Sequence, residues 1–338
     1  EKSRENSWPS KTGELPVTQH ALADYVRILA RGKNASRNMT FEEARFTMGE
    51  MLAGRYEDVQ LGAIFMLLRV LEETPDEIAG FASAVNEYWP EPAGHFDLVW
   101  SSYAGKRRQP MWWVLAALLL GQMGHRILVH GTLAHTLGRV YAHEVFQELC
   151  LPAATRDSLG TITAPLVYLP CSEVHPTLQQ WLSLKSVLGV RSPINTVLKT
   201  IAPAGVPSVQ GIFHPDYRTT HSMAASINQD TAAIIKGEGG EFEVNPERPC
   251  QVTVVVEGEE AQFRIANDSS HYDDKAASPN TEHLIKLWQG QDHSQYGHDA
   301  VLRTAALALC AMLKSTDYVS ALSQCSKAWA ERDKSLLA

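Results

Sequence analysis

FDLVWSSYAGKRRQPMWWVLAALLLGQMGHRILVHG, residues 96–131, carries a β-type run (Phe96–Trp100), a polar loop, an apolar helical run at about 111–123 and a second β-type run (Ile127–His130). Two strands separated by a helix cannot close as a hairpin. The helix makes a crossover, and a crossover returns the chain parallel to itself. Met111 to Gly121 is about half the length needed to cross a bilayer, so it reads as a core helix covering a sheet.

Outward from this unit the alternation continues. Further β-type runs lie at Leu166–Leu169, Val209–Phe213 and Ala233–Lys236, with helical stretches near 137–149, 177–189 and 219–229. That pattern predicts a mainly parallel sheet covered on both faces. Val252–Val256 and Ala261–Ile265, joined by Glu257-Gly258-Glu259-Glu260, read as an antiparallel hairpin, and helices near 298–314 and 316–331 follow. On the other side, Ala21 to Trp89 is helical throughout. Thr40 with Glu43, and Thr74-Pro75-Asp76-Glu77, are capping boxes that fix two helix starts. Leu61 to Leu71 is apolar nearly all round, which predicts burial on most faces or a subunit contact. The fold class is therefore α/β: a small all-helical domain plus a large α/β domain with a mainly parallel sheet.

Composition agrees with an ordinary globular chain of 338 residues, 44% apolar and 20% charged. The net charge of −8 is local: residues 236–299 hold 13 acidic and 5 basic residues, and the rest carries 25 of each. A neutral remainder can still present a basic face to a polyanion. The acidic stretch itself reads as a solvated face. The five cysteines have no metal-ligand spacing, which points to a reduced, cytoplasmic protein without structural zinc. The first twenty residues lack an apolar run, so neither signal peptide nor membrane anchor is expected.

Ile28–Trp89, with its ETPDEIAGFASAV segment, resembles the amino-terminal helical domain of anthranilate phosphoribosyltransferases and their thymidine phosphorylase relatives. RILVHG (126–131), HPTLQQWLSLKSVLGVRSPIN (175–195) and IIKGEGGEFEVNPE (234–247) follow in that family's order. The resemblance implies the nucleoside phosphorylase and phosphoribosyltransferase architecture. A helical domain at 20–90 would be joined by a returning segment at about 176–200, with the α/β domain at 93–175 and 201–335. It also implies a homodimer through the helical domain.

Where that family does its chemistry, this sequence departs. A Gly-Thr-Gly-Gly-Asp loop there holds the diphosphate of phosphoribosyl pyrophosphate, since glycine lets backbone N–H groups approach phosphate. Here the matching segment runs from Trp100 through Ser101, Ser102, Tyr103, Ala104 and Gly105 to Lys106-Arg107-Arg108. His-Gly-Asn-Arg becomes His130-Gly131-Thr132-Leu133, and the arginine that grips anthranilate aligns with Lys185, while Arg191 and Asn195 are kept. Lysine keeps the charge without the bidentate fork. The magnesium-holding Asp-Glu aligns with Phe242-Glu243, leaving Glu241 and Glu243 as weak metal candidates. These departures match the YbiB-type branch, which is associated with binding nucleic acid without sequence preference.

Two basic groups could meet phosphate. Lys106, Arg107 and Arg108 lie between a strand end and a helix that Pro110 should open, at the positive end of its dipole, and all three read as cations outside the core. Arg27, Arg31, Lys33 and Arg37 lie on and just after the first helix; their bland reading is a solvated helix end. His125, His130 and His135 form no metal motif; His130 either reaches a ligand or is a satisfied structural histidine. Trp112-Trp113 reads as core before it reads as a stacking pair. The leading expectation is DNA or RNA binding through the phosphate backbone on a degenerate transferase scaffold, with no cofactor. The alternative is an active phosphoribosyl or glycosyl transferase using phosphoribosyl pyrophosphate and Mg²⁺, and a third reading is a regulatory or structural partner-binding protein.

Overall fold

The computed structural model describes residues 19–32, 34–133, 136–267 and 269–337. Four helices come first: α1 (Ala23–Ala30), α2 (Phe41–Leu52), α3 (Asp58–Leu71) and α4 (Pro75–Asn86). Both expected capping boxes are formed, at Thr40/Glu43 and Thr74/Glu77. Then follow β1 (Leu98–Ser102), α5 (Trp112–Gln122), β2 (Ile127–Gly131), α6 (Ala142–Glu148), β3 (Leu166–Pro170) and the short helices α7 (Cys171–Val174), α8 (Pro176–Ser183), α9 (Lys185–Leu188) and α10 (Ile194–Val197). The chain continues with β4 (Ser208–Ile212), α11 (Tyr217–Ile227), β5 (Ala232–Lys236), β6 (Cys250–Val256), β7 (Glu259–Ile265), α12 (Glu282–Gln289), α13 (Gln295–Met312) and α14 (Tyr318–Ala330).

The strands form one sheet in the order β3-β2-β1-β4-β5-β6-β7. It is parallel from β3 to β5 and antiparallel at β6 and β7. Side chains alternate between its faces, as a pleated strand requires. Leu98, Trp100, Val129 and Tyr168 pack with α5, α13 and α14, whereas Val99, Leu128 and Val167 join the core of the helical unit. Trp112 and Trp113 are fully buried, and Trp113 stacks on Trp100 at 5.3 Å, so the pair is core. The returning segment docks through Trp181 of α8, edge-on to Phe65 of α3 at 5.7 Å. No helix among the described residues is long and apolar enough to cross a membrane.

Three boundaries differ from the sequence reading, each for a local reason. Glu259 and Glu260 belong to β7, and the turn is only Glu257-Gly258, both at positive φ (50° and 91°), as a type I′ hairpin needs. β7 is an exposed edge strand whose charges discourage edge pairing, so Glu259 and Glu260 at its start read as turn. The 177–189 helix is broken near Leu184, where Ser183 and Ser186 donate to the Gln179 and Ser183 carbonyls and compete with the helical ladder. α6 starts at Ala142 rather than 137 because Gly138 takes φ 72° and Val140 pairs with Lys106 instead.

β1 is the topological switch: the chain moves to β2 and β3 on one side, then returns to β4 on the other. Connections leaving β1 and β4 diverge there and open a crevice at the carboxyl ends of the strands.

Candidate functional site

The crevice is built on the loop after β1. Ser101 Oγ donates to the Val209 carbonyl at 3.0 Å and ties β1 to β4. Gly105 sits at φ 68°, and a Cβ there would lie 3.0 Å from the Val140 carbonyl. Lys106 exchanges both backbone hydrogen bonds with Val140, each 2.9 Å, and Arg139 donates to the Ala104 and Gly105 carbonyls at 2.8 Å. The loop is therefore clamped with its Ala104 and Gly105 N–H groups turned the other way.

Those two N–H groups donate to one acceptor, Glu241 Oε1, at 2.8 and 2.7 Å. Lys106 Nζ donates to Glu243 Oε1 at 2.5 Å, and the Trp113 N–H, in the first turn of α5, donates to Glu243 Oε2 at 3.0 Å. Both carboxylates face the loop because Phe242 between them faces the core, edge-on to Trp100 at 5.4 Å. Close backbone contact makes this possible: a Cβ on Gly237 would lie 1.5 Å from the Glu241 carbonyl oxygen, and one on Gly211 would lie 2.2 Å from the Glu241 carbonyl carbon. Burial pushes the Glu243 carboxyl up to about 7 against the opposing pull of Lys106 and the Trp113 N–H.

This geometry corrects two expectations. Lys106 is not a free cation outside the core: it is 2% exposed and paired with Glu243. Glu241 and Glu243 are buried rather than part of a solvated acidic face. As metal candidates they are largely spent, since both oxygens of Glu243 are engaged and only Glu241 Oε2 lacks a partner. Among the described residues no three His, Cys, Asp or Glu side chains gather as a metal site.

Around this filled loop stands a rim of cations. Arg107 and Arg108 are exposed, and Arg139, Lys185 and Arg191 are half-buried. Desolvation, then the nearness of Arg191, Arg139 and Arg107, holds the Lys185 ammonium below its ordinary value. Desolvation, then Arg191 and Arg107, does the same to Arg139. Four cations are thus close enough to repel one another, a state that a polyanion relieves. Beside them lies a cleft of about 450 Å³, lined in part by Arg69, Tyr103, Arg191, Asn195, Lys199 and Phe213. Lys199 donates to the Gly211 and Gly240 carbonyls at 2.6 and 2.9 Å, and desolvation lowers its ammonium to about 8 although Glu241 opposes this. Phe213 is 52% exposed at this cleft.

The other expected positions separate. His130 is fully buried, its Nδ1 paired with the Tyr103 hydroxyl at 2.8 Å, and burial lowers its imidazole to about 3. Its Nε2 lacks a partner. Gly131 allows close packing, since a Cβ would lie 2.6 Å from the Ser102 carbonyl. In the first basic group, Arg27 pairs with Asp24 at 2.5 Å and Arg37 grips both oxygens of Glu43 at 2.6 and 2.7 Å. Asn38, next to Arg37, donates to the Glu72 carbonyl, which places that segment beside the helical wall of the cleft. Arg31 is exposed; Lys33 and His135 lie outside the described residues. Arg139, Arg69 and Lys199 escaped the sequence reading. For Lys199 a signal existed, a lone cation in the apolar run from Val197 to Ala202.

A helical bundle leading into a mainly parallel sheet, with its crevice at the strand switch, is the architecture of a class of transferases. Residues 23–88 match the helical bundle domain of a glycosyl transferase family. The chain is 28% identical over 247 residues to the uncharacterized protein YbiB of Escherichia coli strain K12, covering 69% of this chain and 76% of that one. It is 25% identical over 296 residues to the anthranilate phosphoribosyltransferase of Prochlorococcus marinus strain NATL1A, covering 81% and 84%. The anthranilate phosphoribosyltransferase of Saccharomyces cerevisiae, solved in complex with phosphoribosyl pyrophosphate and magnesium, shares the fold with a TM-score of 0.72 at 15% identity, covering 92% and 93%. In sequence and in fold the chain is similar to anthranilate phosphoribosyltransferases and to YbiB-like proteins.

Proposed function

We propose that this chain binds the phosphate backbone of DNA or RNA, without reading sequence, along the cationic rim of a crevice that no longer serves phosphoribosyl transfer. The observation that carries the reading is the seating of Glu241 on the Ala104 and Gly105 N–H groups. The loop's donors are already used by the protein's own carboxylate, and its lysine by Glu243, while Arg107, Arg108, Lys185 and Arg191 stay at the mouth.

The residues present do not fit phosphoribosyl pyrophosphate with magnesium. The loop has one glycine, and Phe242 supplies no oxygen because it lies in the core against Trp100. Long cationic side chains at the rim suit a backbone that passes over the crevice, and the exposed Phe213 ring offers a face for a base. The half-buried Lys185 and Arg191 contribute charge.

The test is fluorescence anisotropy with labelled single- and double-stranded oligonucleotides at two salt concentrations. Binding of unrelated sequences with similar affinity, weakening steeply as salt rises, is the expected result. Absence of binding at low salt, or formation of phosphoribosyl anthranilate at about 1 per second or faster with both substrates and magnesium, overturns it.

A further inference from the structure

We propose that Leu137 is a wedge that enters between base pairs, and that the partner this rim favours is a duplex with one weakened step, such as a mismatch or a missing base. The inference rests on the nucleic-acid reading and deepens it by naming the structure of the partner.

Leu137 is 97% exposed, yet the loop that carries it is held on both sides. Before it, Thr136 Oγ1 accepts from Lys185 Nζ at 3.2 Å. After it, Arg139 is fastened to the Ala104 and Gly105 carbonyls, and Val140 exchanges backbone hydrogen bonds with Lys106. Between these anchors Gly138 takes φ 72°, and a Cβ there would meet nothing within 4 Å, so the tip stands clear of the protein. Val187, two residues beyond Lys185, is 78% exposed, and Val190 is 44% exposed after the turn at Gly189 (φ 75°). This apolar tip stands among the cations of the rim: Lys185 and Arg139 anchor its loop, and Arg107 and Arg191 lie near enough to act on Lys185.

An apolar tip among cations complements a duplex, which offers phosphates outside and apolar base faces once a step opens. Phosphate contacts at Arg107 and Lys185 set the register and bring Leu137 against the stack. Apolar side chains part base steps in this way in proteins that kink DNA. Parting an intact step costs about as much as burying one leucine returns. On a fully stacked duplex the wedge therefore gains little, whereas at a mismatch or a missing base the stacking is already weakened and the burial is kept. The preference is for a weak step whichever bases form it, so it adds no reading of sequence.

The test is anisotropy of the full chain with labelled duplexes of one sequence, either matched or carrying a central abasic site. Wild type should bind the abasic duplex about tenfold more tightly, and 2-aminopurine placed opposite the gap should brighten as the wedge displaces it. Leu137→Ser, a change at an exposed position that should leave the fold intact, should hold the two duplexes within about twofold of each other and lose the brightening. Leu137→Met keeps an apolar side chain and should retain both effects. Equal wild-type affinity for the two duplexes, or a preference that Leu137→Ser keeps, overturns the proposal. So does a Leu137-dependent flotation with anionic vesicles, or a Leu137-dependent mass in light scattering, without a duplex preference, since these results assign the tip to a bilayer or to a second copy. Failure of every oligonucleotide to bind defeats the nucleic-acid reading itself, whereas binding without the preference defeats the wedge alone.

Discussion

Lys106 and Glu243 form a buried ion pair whose partners cannot be removed singly without stranding a charge. Glu243→Gln should therefore cost roughly 3–5 kcal/mol in urea unfolding. Lys106→Met combined with Glu243→Gln should cost clearly less than the sum of the two single changes. Additivity would show that the pair is not coupled. A second consequence concerns histidines. Burial lowers His130 and His221 to about 3, so the unfolded chain binds more protons between that value and about 6.5. Their contribution is complete above about 6.5 and is lost as pH falls towards 3. Asp230 and Glu243, both raised to about 7 by burial, act in the opposite sense, so the readable quantity is a difference between proteins. His221→Gln keeps a side chain able to bond Gln210, whose oxygen lies 2.8 Å from Nδ1 of His221. From pH 6.5 to 4.5, wild type should lose roughly 2–3 kcal/mol relative to this variant in urea titrations. Parallel stability curves would contradict it.

Among the elements, α3 turns two strongly exposed valines outward on one face. Leu61, Ile64, Phe65 and Leu68 point into the core, whereas Val59 and Val70 are 79% and 81% exposed, with Ala63 and Met66 half-buried between them on the outer side. A row spaced by three or four residues shares one helix face, and we propose that it pairs two copies of the chain. Light scattering should give twice 37.4 kDa at micromolar concentration, and Val59→Glu with Val70→Glu should give the single chain; a wild-type monomer would refute the pairing. Such element-scale features were legible in the sequence. The capping boxes and the parallel strands announce themselves through local residues and continuous apolar runs. Glu259 and Glu260 at the start of the edge strand β7 did not, because they are exposed and charged. Neither did the filled loop, because Glu241 lies 136 residues from Gly105 and only the sheet order brings them together. The basic triplet was visible, but the burial of Lys106 depends on Glu243, which lies 137 residues away. Arg139 was missed for a related reason: its role rests on carbonyls of the loop after β1.

Over the whole molecule a net charge of −8 coexists with a cationic crevice, because acidic residues concentrate in 236–299 and some of them are consumed internally. Association driven by such a patch is governed by released counterions rather than by net charge, which makes salt dependence its signature. Arg107 and Arg108 are the exposed members of the triplet, and replacing both with alanine should leave the fold intact, as surface changes usually do. The decisive measurement is anisotropy of labelled oligonucleotides with wild type and the Arg107→Ala, Arg108→Ala protein between about 50 and 200 mM salt. Wild-type affinity should fall steeply across that range. The variant should bind more weakly to every sequence, its logarithmic salt slope reduced by roughly 0.7 per lost contact on single strands or 0.9 on duplex. A wild type that does not bind, or a well-folded variant with unchanged affinity and slope, would contradict the account.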